Sequence, residues 1–182
     1  MTSYLIVAAT AAEASHVPAS LPVVVTGIGK TAAAAVTTRA LAGRRTSDDL
    51  VVVNIGTAGA LREGMTGLHE PGLVCNHDIN ADAIRALGYD PEDELRVSEG
   101  EVVLATGDVF VTDPLTRARL AGRAHLVDME GYAVVWAARQ FEVPVRLVKH
   151  VSDNADESAF DWPAMVDLSA RALGEWLRST LP

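Results

Sequence analysis

Short, uninterrupted apolar runs alternate in this chain with segments whose apolar residues recur at helical spacing. Three runs rich in valine and isoleucine come first, at 4–8, 22–26 and 50–55, and their continuous hydrophobicity is typical of strands buried on both faces of a sheet. Between the second and third runs, the alanine-rich segment 30–42 is followed by Gly43, which predicts a helix that ends at a glycine. A β-α-β unit of this kind predicts parallel strands.

The rest of the chain repeats this alternation. Strands are predicted at 101–106, 125–129 and 143–151, and helices at 114–122, 131–141 and 162–181. Segment 62–100 is rich in glycine, proline and charge, so we expect it to be loop-rich, with one further apolar run at 72–75. We therefore predict an α/β fold for residues 1–182, a single domain with three α/β/α layers and a central mixed, mostly parallel sheet.

Composition narrows the class of protein. The 182 residues are 49% apolar, enough for one substantial core, and 24 acidic against 15 basic side chains give a net charge of -9, which argues against nucleic acid as a partner. The single cysteine, Cys75, excludes an internal disulfide and a Cys-x-x-Cys pair. We expect a cytoplasmic protein with no metal and no cofactor. No apolar run reaches the roughly 18 residues of a membrane span, so we expect no membrane partner.

Two glycine-containing segments follow predicted strands. In the first, 26–35, the position where a phosphate-binding P-loop needs its first glycine is Val24, so that motif is excluded. Gly27 and Gly29 remain compatible with a dinucleotide-binding turn or with a tight turn alone. The second segment, 54–59, is expected to be a loop at the carboxyl edge of the sheet, where its amides and the Thr57 hydroxyl would bind a polar group.

Three acidic residues also follow apolar runs: Glu13, Glu130 and Asp153. One such residue is usually a helix cap or a solvated charge. Strands of one parallel sheet bring their carboxyl ends to the same edge, so we expect all three carboxylates to meet around one crevice. Together they supply groups that protonate a leaving group, activate water and hold hydroxyl groups. Phe110, after another predicted strand, would add an aromatic face for a flat base.

In this order and spacing, the motifs resemble those of the nucleoside phosphorylase and nucleosidase superfamily, above all the bacterial 5'-methylthioadenosine/S-adenosylhomocysteine nucleosidases. The segments that match cover most of the chain and contain Glu13, 27–30, 54–59, 77–78, 88–89, 107–110, 127–131 and 151–156. The resemblance implies a nucleoside phosphorylase-like fold and cleavage of a purine nucleoside at its N-glycosidic bond. It also implies that Asp153 donates a proton toward N7 of the purine and that Glu13 orients or deprotonates the attacking water.

The same resemblance implies a set of substrate-binding residues. These are Glu130 on the ribose hydroxyls, Met129 against the sugar, Phe110 stacked on the base, the backbone of Val111 at the base edge, Thr57 near the ribose and nucleophile, and Ser152. Such an arrangement suits the reaction, because bond cleavage builds positive charge on the sugar and negative charge on the base.

Other activities remain open at this stage. The chain is a few tens of residues shorter than the usual nucleosidases, and we expect a helix to be missing between Gly88 and Glu101, beside the pocket for the 5' substituent. Futalosine hydrolases of the same superfamily are expected to share nearly all these motifs. A phosphorylase would need basic residues for phosphate, yet Lys30 is the one basic residue among the first 38, so hydrolysis is favoured. A non-catalytic nucleoside-binding protein is the remaining alternative.

We also expect a homodimer, because the related nucleosidases pair and complete each other's pockets. The sequence adds a second reason. Tyr132, Trp136 and Phe141 recur at about helical spacing after Glu130, which is compatible with an apolar surface next to the site. These side chains would equally suit packing on the sheet within one chain.

Overall fold

The computed structural model describes residues 2–43 and 49–181. Within them the chain forms nine strands and five helices. The strands are β1 (Ser3–Ala8), β2 (Val23–Val25), β3 (Leu50–Ala60), β4 (Leu68–His69), β5 (Leu73–Asn76), β6 (Glu94–Arg96), β7 (Val103–Thr106), β8 (Leu126–Asp128) and β9 (Val145–Asp153). The helices are α1 (Lys30–Ala42), α2 (Ala81–Ala86), α3 (Pro114–Ala121), α4 (Gly131–Arg139) and α5 (Trp162–Thr180), with a 3-10 helix at Glu157–Asp161 before α5.

All nine described strands belong to one mixed sheet. Its main path runs β2-β1-β3-β8-β7-β5-β6, and β9 pairs with β3 and with the short β4. The β1–β2, β1–β3, β3–β9, β5–β7 and β7–β8 pairs are parallel, whereas β3–β8, β4–β9 and β5–β6 are antiparallel. The prediction of a mixed, mostly parallel sheet is confirmed.

Helices cover both faces of this sheet because the central strands are apolar on both. In β1, Leu5 and Val7 face a cluster with α1 and α4, while Ile6 and Ala8 face a cluster with α5. Successive side chains of a strand point to opposite faces, so one continuous apolar run supplies two cores. The predicted α/β/α layering is confirmed for the described residues.

The second glycine-containing segment corrects one prediction. Residues 54–59 are not a loop, because β3 continues through them to Ala60. Their pairing with β9, from Val52 to Gly59, supplies the backbone hydrogen bonds that a loop would lack. Small residues within a strand commonly mark close approach by another group, and this is what the structure shows at Gly56 and Gly59.

Strand β3 is paired unevenly along one edge. Strand β1 pairs with residues 50–54 and β8 with residues 59–60, so the edge between them carries no strand partner. The chain after β1 turns into this gap. The gap lies where the strand order reverses, which is where open α/β sheets place their ligands.

Candidate active site

A cavity of about 450 Å³ opens at this gap. All eight residues singled out from the sequence lie on its wall: Glu13, Thr57, Phe110, Val111, Met129, Glu130, Ser152 and Asp153. They come from the ends of β1, β7, β8 and β9 and from the middle of β3. The chemistry of the cavity therefore depends on how each carboxylate is held.

Glu13 closes the open edge of β3. Its Oε1 accepts hydrogen bonds from the Thr57 amide at 2.8 Å and the Thr57 hydroxyl at 2.9 Å. Its Oε2 accepts from the amide and hydroxyl of Thr10, at 3.1 and 3.0 Å. The side chain is 4% exposed. A β-carbon at Gly56 would lie 3.2 Å from Oε1, so the close approach of Glu13 to β3 needs the glycine there.

Glu130 stands at the N-terminus of α4 but does not cap it. The first two amides of that helix find acceptors at the ends of β8 and β7. Gly131 N–H donates to Asp128 Oδ2 at 2.9 Å, and Tyr132 N–H donates to the Thr106 hydroxyl at 3.0 Å. This leaves the Glu130 carboxylate free to face the cavity. There its Oε1 accepts from the Gly29 amide at 2.8 Å, across 101 positions of sequence.

The surroundings of Glu130 also weaken its acidity. Burial raises the pKa of Glu130 to about 7, and the carboxylates of Asp128 and Glu13 act in the same direction. The Gly29 amide and the ammonium of Lys149 act against them. Glu130 consequently exchanges its proton near neutral pH.

Asp153 is aimed by an irregularity in the β3–β9 pairing. The register shifts between Ala58 and Gly59, which oppose Val151 and Asp153, so that Ser152 is the extra residue of a bulge. The Ala155 amide donates to Asp153 Oδ1 at 2.8 Å and the Ser152 hydroxyl to Oδ2 at 2.6 Å. Asp153 thus shares a short turn with Ala155 rather than capping a helix.

Aromatic side chains complete the wall of the cavity. Phe110 packs edge-on against Phe160, with ring centroids 6.3 Å apart, and both rings are largely exposed at the cavity mouth. Trp162, at the start of α5, donates its Nε1–H to the Thr57 hydroxyl at 2.8 Å. The Thr57 hydroxyl therefore accepts from Trp162 while it donates to Glu13, which fixes its direction.

A buried ion pair that was not predicted from the sequence lies next to Glu130. Lys149 Nζ lies 2.9 Å from Asp128 Oδ2 and donates to Asn54 Oδ1 at 2.8 Å, with both charged side chains 1% exposed. The Thr106 hydroxyl donates to Asp128 Oδ1 at 2.5 Å. A lysine inside a predicted central strand was the signal available in the sequence, since a buried lysine requires a partner.

No group of three or more histidine, cysteine, aspartate or glutamate side chains suited to a metal ion occurs within 2–43 and 49–181. In the same part of the chain, no helix is long and apolar enough to cross a membrane. The cavity offers acid, base and hydrogen-bond donors as its chemistry.

Comparison with known proteins identifies the family of the chain. The family model described as "Phosphorylase superfamily" matches residues 79–181, more than half of the chain. The aminodeoxyfutalosine nucleosidase of Helicobacter pylori (strain ATCC 700392 / 26695) is 31% identical over 102 residues, 54% of this chain and 44% of that protein. The 5'-methylthioadenosine/S-adenosylhomocysteine nucleosidase of Buchnera aphidicola is 27% identical over 138 residues, 60% of this chain and 54% of that protein. The chain thus spans about half the length of these two relatives.

Solved structures share the fold. A futalosine hydrolase mutant of Helicobacter pylori strain 26695 superimposes with a TM-score of 0.83 at 23% identity, covering 98% of this chain and 98% of that one. The 5'-methylthioadenosine/S-adenosylhomocysteine nucleosidase of Streptococcus pneumoniae, solved with the transition-state inhibitor MT-ImmA, gives a TM-score of 0.80 at 22% identity and covers 97% and 96% of the two chains. The predicted nucleoside phosphorylase-like fold is confirmed.

Proposed function

The chain belongs to the phosphorylase superfamily, and from that premise we propose that it is a purine nucleosidase. The proposed reaction is hydrolysis of the N-glycosidic bond of a 5'-modified purine ribonucleoside of the methylthioadenosine or S-adenosylhomocysteine type. The observation that carries the proposal is that Glu13, Glu130 and Asp153 line one cavity together with aromatic side chains. This family membership confirms the resemblance predicted from the motifs.

In the proposed mechanism, Asp153 protonates the departing base. Its carboxyl group lies at the end of β9 on the cavity wall, held by the Ala155 amide and the Ser152 hydroxyl. A base with a proton at N7 is a far better leaving group than its anion, and general acid catalysis of this kind contributes typically ~10²–10⁴-fold in rate. Phe110 stacks on the base, and the backbone of Val111 meets its edge.

The other two carboxylates act on the sugar side. Glu13 orients and deprotonates the attacking water, and Glu130 holds the ribose hydroxyls while Met129 packs against the sugar. Their negative charge stabilises the positive charge that develops at the anomeric carbon. Thr57 orients Glu13, because its amide and hydroxyl both donate to Glu13 Oε1.

Hydrolysis is proposed over phosphorolysis because of the charge of the cavity wall. A phosphate dianion placed beside the sugar would face the carboxylates of Glu13 and Glu130, which repel it. Water carries no such charge and is activated by a carboxylate.

The substrate is tested by incubating purified protein with 5'-modified adenosines and inosines and measuring free base by chromatography, with and without phosphate. The panel includes methylthioadenosine, S-adenosylhomocysteine, futalosine and aminodeoxyfutalosine, because an aminodeoxyfutalosine nucleosidase is among the similar relatives. We expect base release at equal rates in both buffers. Release only with phosphate would indicate a phosphorylase, and binding without release would indicate a nucleoside-binding protein.

We further propose that residues 1–182 act as one domain, in the cytoplasm, as a homodimer. Ile28, Val109, Phe110 and Phe160 are exposed apolar side chains at the mouth of the cavity, and a second copy would cover them. Light scattering coupled to size exclusion tests the dimer. A mass near 19 kDa at assay concentrations would contradict it.

A further inference from the structure

Lys30 follows the glycine turn that opens α1, and the proposed reaction gives it no part. Its Nζ donates to Asn76 Oδ1 at 2.8 Å and to Asp78 Oδ1, and lies 4.0 Å from Asp108 Oδ2. The lysine side chain is 19% exposed and that of Asp78 is 23% exposed. One partly buried ammonium therefore joins the loops that follow β5 and β7.

The backbone closes the same set of contacts into a ring. The Asp108 amide donates to Asp78 Oδ2 and the Lys30 amide donates to Asp108 Oδ1, both at 2.7 Å. Burial alone would raise the pKa of Asp78, but the hydrogen bonds from Lys30 and from the Asp108 amide hold that pKa below its usual value. Asp78 is therefore ionised at neutral pH, and it accepts both from Lys30 at the start of α1 and from the loop after β7.

Two successive amides at the start of α1, those of the N-cap Gly29 and of Lys30, connect this set of contacts to the cavity. The Gly29 amide donates to Glu130 and the next amide, that of Lys30, donates to Asp108. Amides in the first turn of a helix have no partner within it and favour carboxylates. Gly29 has a φ of 94°, and a β-carbon there would lie 3.0 Å from Asp108 Oδ1, so this position requires glycine.

We propose that Lys30 is a positioning residue that fixes the aromatic wall relative to the ribose-side carboxylate. Asp108 precedes Phe110 by two residues, so the hydrogen bonds among Lys30, Asp78 and Asp108 fix the position of the loop that carries Phe110. The neighbouring Gly29 amide fixes the position of the Glu130 carboxylate. The turn at Gly29 and Lys30 then determines the distance between Phe110, which stacks on the base, and Glu130, which binds the ribose. The expected effect on catalysis rests on the proposed function, whereas the positioning of the two loops is independent of it.

The test without substrate is hydrogen exchange measured by mass spectrometry. Lys30→Met should speed exchange in peptides that cover 107–112 and 29–33 at least tenfold, because the Asp108 and Lys30 amides lose their fixed acceptors. Arg171→Met is the matched control, since Arg171 forms a surface ion pair with Asp167 on α5 at 2.8 Å and lies away from these loops. Unchanged exchange in Lys30→Met would overturn the proposal. If that variant does not fold, Asp78→Ala is measured instead, with the same two outcomes, because it removes the acceptor of both Lys30 Nζ and the Asp108 amide.

The test with substrate separates this role from a merely structural one. We expect Lys30→Met to raise KM at least tenfold while kcat falls less than about threefold, and Lys30→Arg to recover part of the KM. Equal losses in kcat and KM, or a normal KM, would contradict the positioning role. If wild-type protein cleaves no nucleoside, the proposed function fails while the exchange result still decides the structural part.

Discussion

Glu130 costs the folded protein stability at neutral and alkaline pH, and Glu130→Gln should remove that cost. The carboxylate is 8% exposed and lies among other carboxylates. Glutamine has nearly the same shape and can still accept from the Gly29 amide, but it carries no charge. The substitution therefore isolates the cost of holding a buried negative charge at this position.

The size of this effect follows from the shift in pKa. The pKa of Glu130 rises from 4.5 to about 7 on folding. The folded state then binds the proton more tightly than the unfolded state, so stability is full below pH 4.5 and falls as the pH rises toward 7. Two to three pH units correspond to about 3 kcal/mol. Most of that difference should be present at pH 8, and about 1 kcal/mol or less of it at pH 5.

Urea denaturation at pH 5 and pH 8 measures this difference. The gain in free energy of unfolding of Glu130→Gln over wild type should be about 2 to 3 kcal/mol larger at pH 8 than at pH 5. Glu175→Gln is the control, because Glu175 is exposed on α5 and should show no such pH dependence. Equal gains at the two pH values would refute the claim that Glu130 is held at a raised pKa.

Three further predictions concern the same site. Glu13→Gln should lower kcat at least ~100-fold while nucleoside affinity measured by calorimetry stays within about threefold, because its proposed partner is water; an unchanged kcat would contradict this. A 2'-deoxynucleoside should react at least tenfold more slowly than its ribonucleoside in a base-release assay, because Glu130 loses a hydroxyl partner, and equal rates would count against that role. Lys149→Met should lower the free energy of unfolding by about 3–5 kcal/mol, since Asp128 is left buried without its cation; a loss below about 1 kcal/mol in urea would contradict a buried pair.

The strands and helices that sequence could predict are those with a local cause. Helix α1 occupies exactly the predicted 30–42, because glycines bound an alanine-rich segment on both sides. Strand β4, helix α2 and strand β6 were not predicted. β4 and β6 are two and three residues long and owe their pairing to β9 and β5. Local sequence does not record such partners.

The extension of β3 through 54–59 was not predicted, for a related reason. Its glycines indicate a turn when only neighbours in sequence are considered, but pairing with the whole length of β9 overrides that local preference. Tertiary contacts here decide the structure, and the glycines are needed for the approach of Glu13 and Asp153.

Glu130 reaches the other two carboxylates in a way that the prediction did not include, because β8 is antiparallel to β3 and pairs with it at Gly59 and Ala60. The convergence of Glu13 and Asp153 was predictable, because β1 and β9 are both parallel to β3. The details that tune them were not. The contact of Trp162 with Thr57 joins residues 105 positions apart, and the Lys149–Asp128 pair joins β9 to β8. A lysine in a buried strand signals that a partner exists, but not which carboxylate it is.

The central claim is that Asp153 delivers the proton that releases the base, and one comparison tests it most directly. Wild-type protein and Asp153→Asn are incubated in phosphate-free buffer with the best-cleaved nucleoside of the panel, and free base is measured over time. Asparagine keeps the shape of the side chain but has no proton to deliver. We expect base release to fall at least ~100-fold while affinity for the intact nucleoside is retained. A variant that keeps more than about a tenth of the wild-type rate would contradict the assignment of Asp153 as the general acid.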